Sequence, residues 1–333
     1  MSVTAARPSL LSNWRTVLRT GNPPDGVLDP VSKWLVLTRA AVLPMTLTAA
    51  AIAGLLALRD GGMRPGLFAL AAVGLLLAHM SNNLMNDLFD LDVGNDTEDY
   101  PRALYAPHPV LSGLISRAGL ARAALFVNLI DLAILAVLFA ARGWPVVAFA
   151  VAGFLVSVAY TAPPLRLKKH GLGEPSVLLV WGPLMVGGTY YAAMGRVGWD
   201  VIAASIPYSL LCTAVLMGKH LDKAAWDRPT NTRTVPVMLG DERGRAATKA
   251  LMVAFYPLVV VLVVVGWLPW PALVSVLALP QLAKVWPRFN RPAPAQPPPK
   301  WPIWPLWFAP LAFVHTRRAG ALFVLGLAVG ALI

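Results

Sequence analysis

The chain is poor in charge. Only 13% of its 333 residues are Asp, Glu, Lys or Arg, about half the share of a soluble domain, while 57% are hydrophobic and the mean hydropathy is +0.63. A water-soluble globule is excluded, and the bilayer becomes the solvent. Cysteine is almost absent. Cys212 stands alone inside an apolar run, so an intramolecular disulfide and dithiol redox chemistry are excluded. Acidic residues are also scarce, sixteen against twenty-eight basic ones, for a net charge of +12. No basic stripe interleaved with aromatics accompanies that excess, which argues against a nucleic-acid partner. In a membrane chain it reads instead as a topology signal and an attraction to anionic headgroups. Residues 1–30 carry Arg7, Arg15 and Arg19 but no apolar core of signal-peptide length. They are expected to form a cytoplasmic tail ahead of a membrane domain over 31–333.

About twenty apolar residues cross a hydrocarbon core. By that measure spans are expected near 34–58, 66–86, 119–141, 144–161, 175–195, 199–218, 248–266 and 269–287. A ninth, at 319–333, is short unless it begins among the aromatics around Trp304 to Phe313. The stretch from Pro287 to Pro305 holds Pro292, Pro294, Pro297, Pro298 and Pro299; each removes a backbone donor, so a connecting loop is expected there. Its Trp301 and Trp304, with Trp286 and Trp307, read as an interfacial belt. The N-terminal segment to Arg39 and the loops near 87–122, 162–174, 219–249 and 284–318 hold 24 of the 28 basic residues. The positive-inside rule places that side in the cytoplasm and the C-terminus outside. Thirteen of the sixteen acids share the same side. Acids contribute little to orientation, so their gathering calls for a functional reason.

The first acidic cluster runs from Asn82 to Asp99. On a continuous helix Asn83, Asn86, Asp87 and Asp90 follow one another at i, i+3, i+4 and i+7 and share one face. Lipid contact with that face is costly, so it should turn into the bundle. Neighbouring carboxylates repel unless a cation lies between them, and Mg²⁺ favours one or two carboxylates completed by phosphate oxygens. Asp92, Glu98 and Asp99 fit a solvated loop. The second cluster follows the sixth span, where Asp222 and Asp227 sit among Lys219, Lys223, Arg228 and Arg233. Carboxylates for a metal beside cations for phosphate suit a diphosphate. An ordinary charged loop is the plain alternative for that segment. His220, a lone histidine, reads as structural or interfacial before it reads as catalytic.

Together the clusters resemble the UbiA superfamily of intramembrane prenyltransferases, which has two Asp-rich motifs after the second and sixth of nine transmembrane helices. The run Asn86-Asp87-x-x-Asp90-x-x-x-Gly94-x-Asp96 resembles the first motif in the quinone-pathway branch that prenylates 1,4-dihydroxy-2-naphthoate. Arg39 with Pro44, Tyr160-Thr161, Gly171-Leu172-Gly173-Glu174, Gly182-Pro183 through Tyr190-Tyr191, and Thr232-Arg233-Thr234 to Leu239-Gly240 resemble further segments of that branch. The likeness covers roughly residues 35–260, and its specificity lies in the ordered combination. Three departures stand out. The family's second motif spaces its aspartates four apart, whereas Asp222 and Asp227 are five apart, about 140° around an ideal helix. Either the helix breaks there or one aspartate alone is a ligand. Gly218-Lys219-His220 replaces paired asparagines, and Pro163-Pro164-Leu165-Arg166 replaces a glycine-rich turn.

What the resemblance implies is an all-α bundle of about nine transmembrane helices around a central cavity, with Mg²⁺ as cofactor and a prenyl diphosphate as donor. The acceptor is an aromatic ring of the quinone-precursor (menaquinone) type, and pyrophosphate leaves. Asp87 and Asp90, with Asp222 and Asp227, are the expected metal ligands. Asn86, Asp90 and Tyr160 are expected at the reacting centre, and Arg39, Asn83, Thr161, Lys168, Lys219 and Arg233 around the substrates. A sugar-phosphate or tetrapyrrole-type acceptor, or a transporter or lipid-binding protein with ion-coupling carboxylates, are the rival readings. Asn128 and Asp131, the one polar pair deep in a span, are expected to pair across the bundle.

Overall fold

The structure is a computed structural model, and it describes residues 9–23, 28–92, 97–301 and 303–333. Arg7, Gly94 and Asp96 lie outside the described residues. Within the expected tail, α1 (Leu10–Thr20) is capped by Ser9 and α2 (Pro30–Leu37) by Asp29. The Asp29 carboxylate also accepts from the Trp14 indole at 3.0 Å, tying the two helices together. Arg39, with φ of 53°, turns the chain into α3 (Leu43–Arg59), the first span.

Next come α4 (Pro65–Asp92), the short α5 (Pro101–Tyr105), α6 (Arg117–Arg142) and α7 (Trp144–Thr161). The fifth span is composite: α8 (Gly173–Leu179), a π-helical turn at Val180–Leu184 and α9 (Met185–Met194). Pro183 explains the turn, since it brings no amide and its ring crowds the preceding carbonyls. Then follow α10 (Trp199–Asp227), α11 (Val235–Leu239) and α12 (Asp241–Val264). Among the described residues, eight helices are long and apolar enough to cross a membrane. The chain is a multi-pass membrane protein.

The segment expected as the eighth span is not one regular helix. A 3-10 helix at Trp270–Ala278 leads into α13 (Leu279–Phe289), and together these reach about 34 Å, enough for a hydrocarbon core of about 30 Å. This rod lies antiparallel to α14 (Phe308–Gly330): Gly330 meets Pro269, Gly326 meets Pro271 and Ala272, and Phe308 stacks on Phe289 at the other end, 5.1 Å between rings. Pro287 is accommodated in the last turn of α13, so the irregular connection begins after Phe289. The last span begins at Phe308, among the aromatics, rather than at 319. Trp301 and Trp307 pack on each other at 4.9 Å, and Trp286 lies under the Lys249 ammonium.

α4 and α10, at 28 and 29 residues, run about 42 Å, some 12 Å beyond the hydrocarbon core. Asn82 to Asp92 of the first cluster and Lys219 to Asp227 of the second therefore sit on helical extensions, while Glu98 and Asp99 lie in a turn. The main core joins α3, α9, α10, α12, the 3-10/α13 rod and α14, while α4, α6 and α7 pack as a second wall. Between the walls lies a cavity of about 990 Å³. Leu129, Leu132, Val151 and Phe154 line it and are also exposed outside, so it opens sideways between α6 and α7.

Candidate active site

Asn83, Asn86, Asp87 and Asp90 do share a face of one continuous helix. Asp87, fully buried, is gripped by Arg102, whose Nε and Nη2 donate to the two carboxylate oxygens at 2.9 and 3.0 Å. Arg39 donates to the same carboxylate. Three residues closer to the helix end, Asp90 accepts from the Lys168 ammonium at 2.7 and 2.9 Å. Asn86 accepts from the Thr161 hydroxyl at 2.9 Å, and Asn83 donates to the Thr38 carbonyl at 3.0 Å.

The helix does not break between Asp222 and Asp227, since α10 continues to Asp227 and Pro229 lies beyond it. The two carboxylates therefore point in different directions. Asp222 accepts the amide hydrogens of Phe308 and Ala309 at 2.8 and 2.9 Å, and so serves the first turn of α14, whose amides have no partners within their own helix. Gly218, one turn earlier, admits the same helix start: a Cβ there would lie 2.8 Å from its backbone. The Gly-Lys-His departure thus has a packing cause. Asp227 accepts from the Tyr100 hydroxyl at 2.7 Å, while its buried Oδ2 has no hydrogen-bond partner. His220 is buried in a 2.7 Å contact with Glu174.

Where the two clusters meet, a small chamber of about 30 Å³ is lined by Arg39, Arg102, Lys168, Lys219 and Lys223 together with Asn86, Asp90, Tyr105 and Tyr160. Arg39, Asn86, Arg102, Tyr105, Tyr160 and Lys219 also line the large cavity, so the chamber is its polar end. The field there is strongly positive. Burial pushes the Tyr105 phenol up, but Lys219, Arg102, Arg39 and Lys223 outweigh it and hold the group below its ordinary value. Lys223 stands 4.4 Å over the Tyr100 ring, whose hydroxyl reaches Asp227. Arg233 stays outside: its side chain is exposed and its amide donates to the Lys169 carbonyl at 3.1 Å.

Arg102 and Tyr105 were not singled out as site residues from the sequence, whereas Lys223 was read there only as one of four cations around the second cluster. The available signal was Tyr100-Pro101-Arg102-Ala103-Leu104-Tyr105, a proline-started helical turn with aromatics just after the acidic run. Asn128 and Asp131 do not pair across the bundle. Asn128 donates to the Ala124 carbonyl of its own helix and Asp131 faces Gly74; three residues apart on α6, both turn toward the cavity.

The donors suit a hard cation. Asp90 and Asn86 present oxygens in the chamber wall, and the orphaned Oδ2 of Asp227 is a third oxygen outside that wall; among the described residues no three His, Cys, Asp or Glu side chains converge on one point. A cation there would complete its shell with ligand oxygens, the habit of Mg²⁺. Asp87 and Asp222 are engaged by guanidinium groups and backbone amides, and Asp90 by the Lys168 ammonium, which a cation there would displace.

A family model described as the UbiA prenyltransferase family matches residues 46–309. A 2-carboxy-1,4-naphthoquinone phytyltransferase of Synechocystis sp. is 26% identical over 241 residues, 72% of this chain and 75% of the relative. A digeranylgeranylglyceryl phosphate synthase of Natronomonas pharaonis is 27% identical over 266 residues, 78% and 88% of the two chains. The solved structure of a UbiA homologue from Archaeoglobus fulgidus, bound to DMAPP and Mg²⁺, matches with a TM-score of 0.54 at 16% identity, over 87% of this chain and 99% of that one. That likeness shows a shared fold.

Proposed function

Because the chain belongs to the UbiA prenyltransferase family, we propose that it transfers a prenyl group from a prenyl diphosphate to a hydroxylated aromatic acceptor of the quinone-precursor type. One observation carries this reading: a narrow chamber walled by five cations, with Asp90 among them, opens directly into a large apolar cavity. A diphosphate matches the first and an isoprenoid chain the second. Arg39, Arg102, Lys168, Lys219 and Lys223 bind the diphosphate oxygens. Asn86, Asp90 and Asp227 would hold Mg²⁺, which when bound would neutralise charge on the leaving diphosphate. Asp87 fixes the two arginines that face the donor, and Asp222 secures the helix that closes the cavity wall.

As the allylic C–O bond weakens, positive charge develops on the prenyl carbon beside Tyr160, whose ring face can stabilise a cation. The apolar walls exclude water from it. The acceptor ring carbon forms the new C–C bond, the ring proton leaves, and pyrophosphate departs toward the chamber's mouth. With 22 of 28 basic residues in the segments on that side, Arg317 and Arg318 lying within α14, the mouth and the N-terminus face the cytoplasm and the C-terminus faces outward. The naphthoquinone named for the Synechocystis relative supports the acceptor class; the glyceryl phosphate named for the Natronomonas relative defines the competing one.

The test incubates detergent-purified protein and Mg²⁺ with prenyl diphosphates of several lengths. The acceptor set includes a hydroxynaphthoate, a hydroxybenzoate and a glyceryl phosphate ether. Mass spectrometry should find a prenylated aromatic product that Asp90→Ala removes. Pyrophosphate without such a product, or product from the glyceryl phosphate alone, overturns the reading.

A further inference from the structure

Two turns along α4 from Asn86, on the same stripe, His79 faces the large cavity. Its Nδ1 is engaged by the buried Thr46 hydroxyl of α3 at 2.7 Å. The ring also meets Trp181 edge to face, 5.3 Å between centroids at 90°. Trp181 belongs to the π-helical turn at Val180–Leu184 and likewise lines the cavity. π-turns of this kind recur at functional sites because they re-aim a side chain. Here a polar ring locked in one orientation and an aromatic delivered by a helix irregularity meet on the wall of a mostly apolar space.

We propose that His79 and Trp181 form the subsite for the acceptor ring, with His79 Nε2 hydrogen-bonded to a ring oxygen and Trp181 packed against the aromatic edge. This deepens the function proposed above and rests on it. The donor's hydrocarbon chain gains nothing from an imidazole nitrogen and would strip it of hydrogen-bond partners, an unfavourable exchange. A flat ring bearing hydroxyl or carbonyl oxygen satisfies both walls at once. The spacing agrees. Seven residues of helix place His79 about 10 Å from the level of Asn86, which leaves room for one fused bicyclic ring between the imidazole and the prenyl carbon at the chamber's edge. The oxygen held by Nε2 fixes which ring carbon faces the donor, so the subsite governs regiochemistry as well as affinity.

The experiment measures acceptor binding calorimetrically in the presence of Mg²⁺ and an unreactive prenyl thiodiphosphate, for wild type, His79→Leu and His79→Gln. Each is paired with the hydroxylated acceptor and with its methyl ether. His79→Leu should weaken binding of the hydroxylated acceptor about tenfold, leave the methyl ether and the thiodiphosphate unchanged, and raise acceptor KM with donor KM constant. His79→Gln should recover most of the affinity. Thr46→Val, which frees the imidazole without removing it, should give an intermediate loss and serves where His79→Leu does not fold. Equal losses for acceptor and methyl ether, or no loss in any variant, overturn the subsite while leaving prenyl transfer standing. Failure of wild type to bind or prenylate any hydroxylated aromatic overturns both.

Discussion

Asp222 and Ala309 are joined at 2.9 Å, the carboxylate accepting the amide hydrogen, with Phe308 on the other oxygen at 2.8 Å. A residue that the motif pattern marks for metal thus fastens the last helix to the sixth span. Asp222→Ala should lower stability by about 1–3 kcal/mol, because buried amides lose their acceptor, and leave Mn²⁺ affinity unchanged. Asp227→Asn, which keeps an acceptor for the Tyr100 hydroxyl, should do the reverse, weakening Mn²⁺ binding with little change in melting temperature. Thermal unfolding in detergent and Mn²⁺ titration with a prenyl thiodiphosphate separate the two; loss of Mn²⁺ binding in Asp222→Ala would return that residue to the metal site.

Arg102 holds a carboxylate that has no exposure at all. Arg102→Leu leaves Asp87 to Arg39 alone, and breaking a buried pair from one side costs about 3–5 kcal/mol. The double variant Asp87→Leu/Arg102→Leu should regain part of that stability and none of the activity. Unchanged melting in Arg102→Leu would show that water reaches Asp87.

How much of this was readable in advance follows from the range of the interactions. The i, i+3, i+4, i+7 pattern of Asn83, Asn86, Asp87 and Asp90 is local, so the sequence predicted their common face. The spacing of Asp222 and Asp227 admitted two readings, and what separates them is a pair of amides 86 and 87 residues away. Arg102 lay hidden because its partner is fifteen residues back across the acidic turn, and among the four cations of the second cluster the sequence alone did not separate the chamber-lining Lys219 and Lys223 from Arg228 and the exposed Arg233. The composite eighth crossing was legible as apolar length but not as a 3-10 helix, since hydropathy does not report backbone geometry.

The acids of the chamber already have counterions: Asp87 has Arg39 and Arg102, and Asp90 has Lys168. Removing divalent metal with EDTA should therefore leave the melting temperature within about 2 °C, a shift of about 1 kcal/mol, while abolishing prenyl thiodiphosphate binding. A large fall in melting temperature would mean that the metal is structural.

Lys223 is buried, lines the chamber and stands over Tyr100. If it contacts diphosphate, Lys223→Met removes a charge-assisted hydrogen bond of about 1.5–3 kcal/mol, a loss of ten- to a hundredfold or so in donor affinity. Acceptor KM should stay constant. A matching rise in both constants would assign Lys223 to the fold rather than to the donor.

Gly218 and Asp222 act on one contact from successive turns of α10. A Cβ on Gly218 would sit 2.8 Å from the nitrogen of Ala309 and from the carbonyl group of Phe308, backbone atoms that yield only if the start of α14 moves. That movement would lengthen the two bonds Asp222 accepts. Gly218→Ala should therefore destabilise by about 1–3 kcal/mol through overpacking, and the losses of Gly218→Ala and Asp222→Ala should not add. Once the first substitution has displaced the helix, the second has less left to break, so the double variant should be less destabilised than the two single effects combined. Unfolding free energies for the four-member cycle decide the matter, and full additivity would mean that Gly218 tolerates a side chain without disturbing the amides of Phe308 and Ala309.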